Sequence, residues 1–314
     1  MGLSRDMTKA LRASWALILP LNLHPPRLEG QGQPIVVRAV QMGMEVRISA
    51  FGDSGAVLDA ADAAFARIDA LEWILSHWRP GSELSRLGTA PAGTWVAVSP
   101  PLFAVLSSAL RVAAATDGAF DPTLGALTAL WRASRDSGMP VDPAAVERAR
   151  MLSGWQLVAL DSARRMVRLT RSPIPLDLGG IAKGWILGDV RELMRARSVP
   201  RVLIEAGGDI VAGDAPPGTA GWRIAVDGDT VITVANAAVS TSGPGAQWIT
   251  DSGTRRSHVI DTRSGLGRAD QPTITVIGAD PAITDALATA LTLVAPERRA
   301  ALAHRFGVAV IDER

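Results

Sequence analysis

The 314-residue chain is 47% hydrophobic and 20% charged, a balance typical of a folded globular protein and not of a disordered one. Its 32 Lys and Arg residues nearly offset its 31 Asp and Glu residues, which excludes the strongly basic surface of a nucleic-acid-binding protein. The absence of cysteine excludes disulfides, thiolate metal sites, cysteine nucleophiles and a lipid-modified N-terminal cysteine.

Residues 1–33 form a leader with two open interpretations. Arg5, Lys9 and Arg12 precede a short apolar stretch, ASWALILPLNL, that ends at HPPRLEGQGQP. This order is typical of a secretory signal peptide, although no A-x-A cleavage site follows; the alternative is a plain leader before the first strand. Neither this stretch nor any later one is long enough to span a bilayer, so the sequence predicts no integral membrane segment.

The segments from residue 34 onward begin with IVVRAVQMGMEVRISAF, which predicts a strand pair or one long strand. Apolar residues at helical spacing predict a helix over 56–78, followed by a polar turn with a short helix in PGSELSRLG. TWVAVS is a predicted strand, and a helix is predicted from Pro100 to about Thr116, since proline is tolerated in a first helical turn.

The middle of the chain contains a predicted loop, TDGAFDPTLGALTALW, and a helix, VDPAAVERARML, with Asp142 as its cap. A β-hairpin is predicted for WQLVALDSARRMVRLTR, a strand for IPLDL and a helix for IAKGWILGDVRELMRAR. Further strands are predicted in RVLIEAGGDIVAGD, WRIAVD, TVITVANAAVST, SHVIDTRS and PTITVIGA. A final long helix runs from Asp280 to about Leu293, and FGVAVID is a closing strand.

The order of these segments predicts an α+β fold. Several neighbouring strands are joined as hairpins, and the regular βαβ alternation of a doubly wound fold is missing from the pattern. The sequence therefore predicts mainly antiparallel sheets packed with helices, as one large domain or two intimate lobes over residues 34–314.

The segment LDLGGIAKGW combines a carboxylate, two glycines and a lysine at a strand-to-helix turn. Gly179 and Gly180 permit a tight turn that presents backbone groups to a ligand, and Lys183 lies where helix amides favour anions. The alternative is an ordinary strand–turn–helix with a surface lysine. The segment is neither a Walker loop nor G-x-G-x-x-G, so neither phosphate-binding motif applies.

A second pattern places two oxygen-bearing side chains on one helix. Asp285 and Thr289 are four residues apart, so their carboxylate and hydroxyl share a face and suit a hard cation such as Mg²⁺. The alternative is a polar helix face. His258 opens a predicted strand and is a candidate general acid or base, or a structural histidine. Phe120, between small residues, is a ligand contact or a core anchor.

The combination and order of the motifs are more specific than any one of them. The chain contains MGMEVRI, LSHWRPGSELSRL, TDGAFDPTLGAL, LDLGGIAKGW, EAGGDIVAGD, STSG, SHVIDTRSG and TDALATAL. Over about residues 38–295 this order closely resembles the ApbE family, the FAD:protein FMN transferases. The resemblance implies a T-fold-like α+β architecture of two intimate lobes, with FAD in the cleft between them.

The resemblance also assigns site residues. It implies Mg²⁺ ligation by the backbone carbonyl of Gly180 and by the side chains of Asp285 and Thr289. Contacts to the bound FAD are implied for Met42, Trp78, Ala119, Phe120, Asp121, Asp177, Lys183 and His258. His258 and Asp285 are the two catalytic candidates for accepting a proton, and the sequence leaves that choice open.

Four positions depart from the usual family pattern. Gly180 replaces the commoner Ala, Trp78 replaces Tyr, Thr262 replaces Pro after H-x-x-D, and no tyrosine follows STSG. A carbonyl ligand does not depend on the side chain at position 180. A stacking role survives the exchange of Tyr for Trp at position 78, whereas a phenolic hydrogen bond does not.

The implied reaction is Mg²⁺-dependent transfer of FMN from FAD to a Thr or Ser hydroxyl of an acceptor redox protein, with release of AMP. Two alternatives are a Mg²⁺-dependent FAD pyrophosphatase, in which water attacks, and a non-catalytic FAD-binding protein. The chain has no S/T-G-A-S/T acceptor segment, so the acceptor is expected to be another protein. The leader favours an exported, periplasmic or membrane-associated protein, with a cytoplasmic location left open.

Overall fold

The computed structural model describes residues 32–226, 230–243, 248–251 and 253–313, so most of the leader lies outside the described residues. The helices are α1 (Ser54–Leu75), α2 (Glu83–Gly88), α3 (Pro100–Ala115), α4 (Gly125–Ser137), α5 (Pro143–Arg150), α6 (Ala182–Ala196), α7 (Pro281–Leu291) and α8 (Pro296–Phe306). The strands of the first half are β1 (Ile35–Gln41), β2 (Met44–Ala50), β3 (Trp95–Ala97), β4 (Val158–Asp161) and β5 (Met166–Leu169). Those of the second half are β6 (Val202–Ala206), β7 (Asp209–Ala212), β8 (Trp222–Ala225), β9 (Val231–Val234), β10 (Ala237–Ser242), β11 (Trp248–Asp251), β12 (Thr254–Ser257), β13 (Ile260–Asp261), β14 (Leu266–Gly267), β15 (Thr273–Gly278) and β16 (Ala309–Glu313).

A seven-stranded sheet in the order β1-β2-β6-β7-β10-β15-β16 is the main scaffold. All of its neighbouring strands pair antiparallel. Small antiparallel sheets form from β3-β5-β4, β8-β9, β11-β12 and β13-β14. The predicted α+β class with mainly antiparallel sheets is therefore confirmed.

The core lies between this sheet and the helices α1, α6 and α7. Alternate residues of β2 and β6 point into it, as the period of two in a half-buried strand requires. Helix α7 packs on β10 and β15, and α6 packs on α7, α1 and β7. The start of α6 and the start of α7 are thus brought together above the middle of the sheet.

A glycine makes the close approach of α6 to α7 possible. A Cβ atom at Gly184 would lie 2.1 Å from the carbonyl oxygen of Pro281 and 2.8 Å from Cβ of Asp285. No side chain fits at these distances, because packed interiors leave no room for a further carbon. Gly184 therefore fixes how closely Asp285 lies to the first turn of α6.

Several predicted elements are confirmed with their physical cause. The first strand segment is a hairpin, which turns at Met42 and Gly43, both in the left-handed region with φ of 52° and 74°. Asp142 caps α5 by accepting a hydrogen bond from the amide of Ala144 at 3.0 Å. Asp280 likewise caps α7, through the amides of Ala282 and Ile283.

Four predictions about secondary structure were wrong. The predicted loop around TLGALTALW contains α4, and α8 follows the helix that was expected to be the last. The segment SHVIDTRS is not one strand: it contains the last residue of β12 and the two-residue β13, and His258 lies between these strands.

IPLDL, the fourth, forms no strand and pairs in no sheet. Pro173 and Pro175 lack amide donors, and the amides of Ile174 and Asp177 bond separately to Gly88 at 2.9 Å and Pro122 at 2.8 Å. Among the described residues, no helix combines the length and apolar character needed to cross a membrane.

Candidate functional site

A buried cluster of charges lies where α6, β7 and α7 meet. Lys183 donates hydrogen bonds to Asp209 and, at 3.2 Å, to Oδ1 of Asp285. The other oxygen of Asp285, Oδ2, accepts a hydrogen bond from the amide of Gly184 at 2.9 Å. Asp209 is 3% exposed and Asp285 is 4% exposed, so both carboxylates are almost fully removed from water. We call Lys183, Asp209 and Asp285 the charge cluster.

The charge cluster holds two carboxylates against one ammonium. Burial opposes the charge on Lys183, but the carboxylates of Asp209 and Asp285 outweigh it and raise the pKa of the lysine. Burial and the neighbouring Asp285 carboxylate raise the pKa of Asp209 to about 6, against the opposing effect of Lys183. Lys183 is therefore charged at neutral pH, and the site has an excess of negative charge that a cation would balance.

Gly180 and Thr289 lie next to this cluster. A Cβ atom at Gly180 would be 3.2 Å from Oγ1 of Thr289 and 3.2 Å from a ring carbon of Phe120. Asp285 precedes Thr289 by one turn on α7. The three residues predicted as metal ligands, Gly180, Asp285 and Thr289, thus lie around one point of the fold.

These residues offer the donors that Mg²⁺ prefers, namely carboxylate, hydroxyl and carbonyl oxygens. The hydroxyl of Thr289 accepts or donates no hydrogen bond within the described part of the chain. Across the described residues no group of three His, Cys, Asp or Glu side chains is arranged to hold a metal ion. The predicted set contains one carboxylate only, so it depends on hydroxyl and carbonyl oxygens. The residues present fit a magnesium ion on donor chemistry and on charge.

Asp177 lies in a separate network at the LDLGG turn. Its carboxylate pairs with His77 at 3.1 Å and Arg132 at 3.2 Å, and accepts hydrogen bonds from Thr128 at 2.7 Å and the Gly179 amide at 2.8 Å. Burial opposes its ionisation, but these partners outweigh it and lower the pKa of Asp177. This network fixes the turn that leads to Gly180.

His77 is neutral within the Asp177 network. Burial lowers the pKa of His77, and the positive charge of Arg132 lowers it further. The negative charge of Asp177 raises this pKa but does not outweigh the other two effects. Arg132 lies 2.7 Å from Nε2 of His77, and because a guanidinium only donates, Nε2 is the acceptor and Nδ1 carries the proton towards Asp177.

Trp78, a predicted flavin contact, is 63% exposed just beyond the end of α1. The guanidinium carbon of Arg132 lies 4.1 Å from the centre of its ring, a cation–π contact. The ring of His77 lies 5.0 Å away. Trp78 is therefore supported by Arg132 and His77 while most of its surface remains open to a ligand.

The GAFD segment is held mainly by internal contacts. Asp121 accepts hydrogen bonds from the amide and hydroxyl of Thr123, at 2.8 and 2.6 Å, and from the amide of Trp155 at 2.9 Å. Burial raises the pKa of Asp121 against these hydrogen bonds. Phe120 is buried in the main core, and half-buried Ala119 packs against that core. The ring edge of Phe120 borders the candidate site at Gly180.

Met42 and His258 lie in two different loops. The turn that carries Met42 lies beside the Gly207–Gly208 turn, because a Cβ atom at Gly207 would be 2.6 Å from the sulfur of Met44. Asp209 follows that glycine turn directly. His258 is exposed in its loop. The next turn, between β13 and β14, meets the GAFD segment, where Oγ1 of Thr262 would lie 4.0 Å from a Cβ atom at Gly118.

Sequence reasoning missed three residues of this region: Asp209, His77 and Arg132. Asp209 follows a glycine pair that ends one strand and begins the next, so a position near a ligand could have been inferred from the turn. Its partner Lys183 is 26 residues away on another element, and no spacing predicts that contact. His77 and Arg132 meet Asp177 only through the tertiary fold.

Known proteins resemble this chain over most of its length. The family model described as the ApbE family matches residues 42–311. A protein of Chlamydia trachomatis named FAD:protein FMN transferase is 31% identical over 238 residues, which cover 74% of this chain and 75% of that protein. A protein of Treponema pallidum with the same name is 29% identical over 83% of this chain and 78% of its own length.

Solved structures agree with the sequence comparisons. The apo flavinyl transferase ApbE of Pseudomonas stutzeri is 28% identical and superposes with a TM-score of 0.78, over 90% of this chain and 92% of its own. The ApbE protein of Thermotoga maritima is 27% identical, with a TM-score of 0.80 over 89% of this chain and 94% of its own. The chain, with its antiparallel α+β fold and its ordered motifs, belongs to the ApbE family.

Proposed function

We propose that this protein transfers FMN from FAD to a Ser or Thr hydroxyl of an acceptor redox protein and releases AMP, in a Mg²⁺-dependent reaction. Membership of the ApbE family and the shared name of its relatives support the reaction. The observation that carries the proposal is the meeting of Gly180, Asp285 and Thr289 at one point beside a charged lysine.

The carboxylate of Asp285, the hydroxyl of Thr289 and the carbonyl of Gly180 would hold the magnesium ion. When bound there, Mg²⁺ supplies neutralisation of the negative charge on the pyrophosphate of FAD and on the departing AMP. Asp285 is fitted to this role because its carboxylate is oriented by the amide of Gly184, which donates to Oδ2 at 2.9 Å. A ligand oxygen fixed in this way needs little reorganisation when a cation arrives.

Other residues of the chain would bind and orient FAD. Lys183 carries a full positive charge in the first turn of α6, where it attracts phosphate oxygens. Trp78 offers an exposed ring for the flavin, supported from below by Arg132. Met42, Ala119, Phe120, Asp121 and Asp177 complete the set, the last two as residues that fix the loops on which the contacts depend.

His258 is the better of the two candidates for accepting the proton of the acceptor hydroxyl. It is exposed, so it reaches an incoming protein and exchanges protons with solvent. Both oxygens of Asp285, in contrast, already accept hydrogen bonds.

The reaction can be tested with purified protein, FAD, Mg²⁺ and a redox subunit that carries an S/T-G-A-S/T segment. We expect a covalent FMN mass increment on the subunit and an equal amount of AMP. A subunit with alanine in place of the accepting hydroxyl residue is the control and should stay unmodified. AMP and free FMN without a modified subunit would instead show a pyrophosphatase, and binding of FAD without AMP would show a non-catalytic carrier.

We also propose an exported protein that acts on membrane-associated redox partners. The basic residues before the apolar stretch of the leader support this location. Fractionation of cells that express the full chain tests it, and recovery of all activity in the cytoplasmic fraction would contradict it.

A further inference from the structure

We propose that Asp209 is a positioning residue that holds the ammonium of Lys183 aside, so that Asp285 stays available to a divalent cation. The proposed metal site needs one carboxylate, whereas the charge cluster contains two. The inference rests on the proposed function, because it concerns the same site. It explains why a second buried carboxylate lies opposite the predicted ligand.

The geometry places Lys183 between two competing acceptors. Its ammonium donates to both Asp209 and Asp285, and the contact with Asp209 is the closer one. The backbone of Lys183 cannot retreat from α7, because the neighbouring Gly184 already packs against Pro281 and Asp285. Any movement of the ammonium between the two carboxylates must therefore come from the side chain of Lys183.

Asp209 is well fixed for this task. It is the first residue of β7 and pairs in register with Ala206 on one side and Ser240 on the other, inside the main sheet. Ser240 in turn donates to Thr284 on α7 at 3.1 Å, so the position of Asp209 is tied to the helix that carries Asp285.

Without Asp209, the ammonium of Lys183 would compete with the cation for Asp285. The lysine side chain is only 23% exposed, so its ammonium cannot simply return to water. Asp285 would become its one remaining carboxylate partner among the described residues. A buried ammonium paired with Asp285 competes with a divalent ion for the same oxygen, and breaking such a pair is costly.

The simplest rival explanation is that Asp209 attracts the cation only through its negative charge. The two explanations differ when Lys183 is absent. If Asp209 acts by holding Lys183, its removal has no further effect in a Lys183→Met background. If Asp209 acts through its charge alone, its removal weakens binding equally in both backgrounds. A double-mutant cycle therefore separates them.

The experiment measures Mn²⁺ and Mg²⁺ binding to the full chain without FAD, by calorimetry and by the electron paramagnetic resonance signal of Mn²⁺. Asp209→Asn should weaken binding by about tenfold or more, and Lys183→Met should tighten it. The double variant should bind as Lys183→Met does. Asp189→Asn is the matched control, since it removes a carboxylate of α6 that pairs with Arg67 at 2.7 Å, and it should leave binding unchanged.

The outcomes distinguish this inference from the proposed function. A wild-type chain that binds no divalent cation would overturn both. Unchanged affinity of Asp209→Asn, or an equal loss in both backgrounds, would overturn the role of Asp209 alone. Should Asp209→Asn fail to fold by circular dichroism, Lys183→Met decides the matter, because unchanged or weaker binding by that variant contradicts competition by the ammonium.

Discussion

Replacement of Gly184 by alanine should loosen the junction of α6 and α7 and disturb Asp285. The added Cβ atom would lie 2.1 Å from the carbonyl oxygen of Pro281 and 2.8 Å from Cβ of Asp285. The first of these is a backbone atom, which cannot swing away as the end of a flexible side chain can. The two helices must separate, and the 2.9 Å hydrogen bond from the Gly184 amide to Asp285 must lengthen.

The size of the effect follows from two opposing contributions. Overpacking of a dense core costs about 1–3 kcal/mol, and contact with a backbone atom places this site at the upper end. The higher helix propensity of alanine relative to glycine stabilises the helix by about 1 kcal/mol. Gly184→Ala should therefore reduce the free energy of unfolding by about 2 kcal/mol.

Gly188→Ala is the matched control on the same helix. Its Cβ atom would meet the side-chain Cγ of Pro281 at 3.1 Å, which a small shift accommodates. This variant should be neutral or up to about 1 kcal/mol more stable than wild type. Urea unfolding measures both variants, and Mn²⁺ binding reports the disturbance of Asp285 in Gly184→Ala. Equal stability of the two variants would refute the close packing of α6 on α7.

Three further predictions concern other parts of the fold. Thr289→Val should weaken Mg²⁺ binding by about tenfold, because it removes a ligand oxygen, whereas Thr289→Ser should retain binding; calorimetry that finds the two variants equal would contradict the ligand role. His77→Gln should flatten the pH dependence of the free energy of unfolding. Because the pKa of His77 is lowered in the folded protein, its contribution to stability is full above the pKa of the unfolded chain, about 6.5. That contribution is lost as the pH falls through the lowered pKa of the folded protein. An unchanged pH profile would count against a neutral, buried His77. Asp53→Ala should cost about 1 kcal/mol in urea unfolding, because the carboxylate caps α1 at the Ala56 amide, and no loss would show that water replaces the cap.

The sequence predicts most elements of this fold because their signals are local. The hairpin at Met42 and Gly43, the cap at Asp142 and the Pro281 start of α7 each depend on residues within one turn. Helix α4 escaped prediction because it begins at Gly125 after Leu124, which provides no capping side chain. Its start is instead set by distant packing, since a Cβ atom at Gly125 would lie 2.5 Å from the carbonyl oxygen of Pro175.

Helix α8 and the IPLDL segment show two other limits. Helix α8 has no side-chain cap and buries only Arg299 and Leu302, so its apolar periodicity is faint. IPLDL has the composition of a strand, but Pro175 and the preceding Pro173 lack amide donors for a ladder. The amides of Ile174 and Asp177 bond to separate partners. Strand composition therefore did not suffice where sheet neighbours were missing.

The candidate site also contains residues that the sequence predicts and residues that only the structure reveals. The Asp285–Thr289 pair follows from helical spacing, and its neighbourhood with Gly180 agrees with the resemblance to the ApbE family. Asp209 needed the structure, because its role depends on a contact with Lys183 across the junction of sheet and helix. Contacts between distant elements carry no signature in a single sequence.

The most direct test of the account is a crystal structure with FAD and Mn²⁺, in which anomalous scattering locates the metal. We expect one strong peak within coordination distance of the Asp285 carboxylate and the Thr289 hydroxyl, beside the pyrophosphate. The proposed site would be contradicted by an anomalous peak outside coordination distance of both side chains. Bound FAD with its pyrophosphate remote from Gly180 and Lys183 would also contradict it.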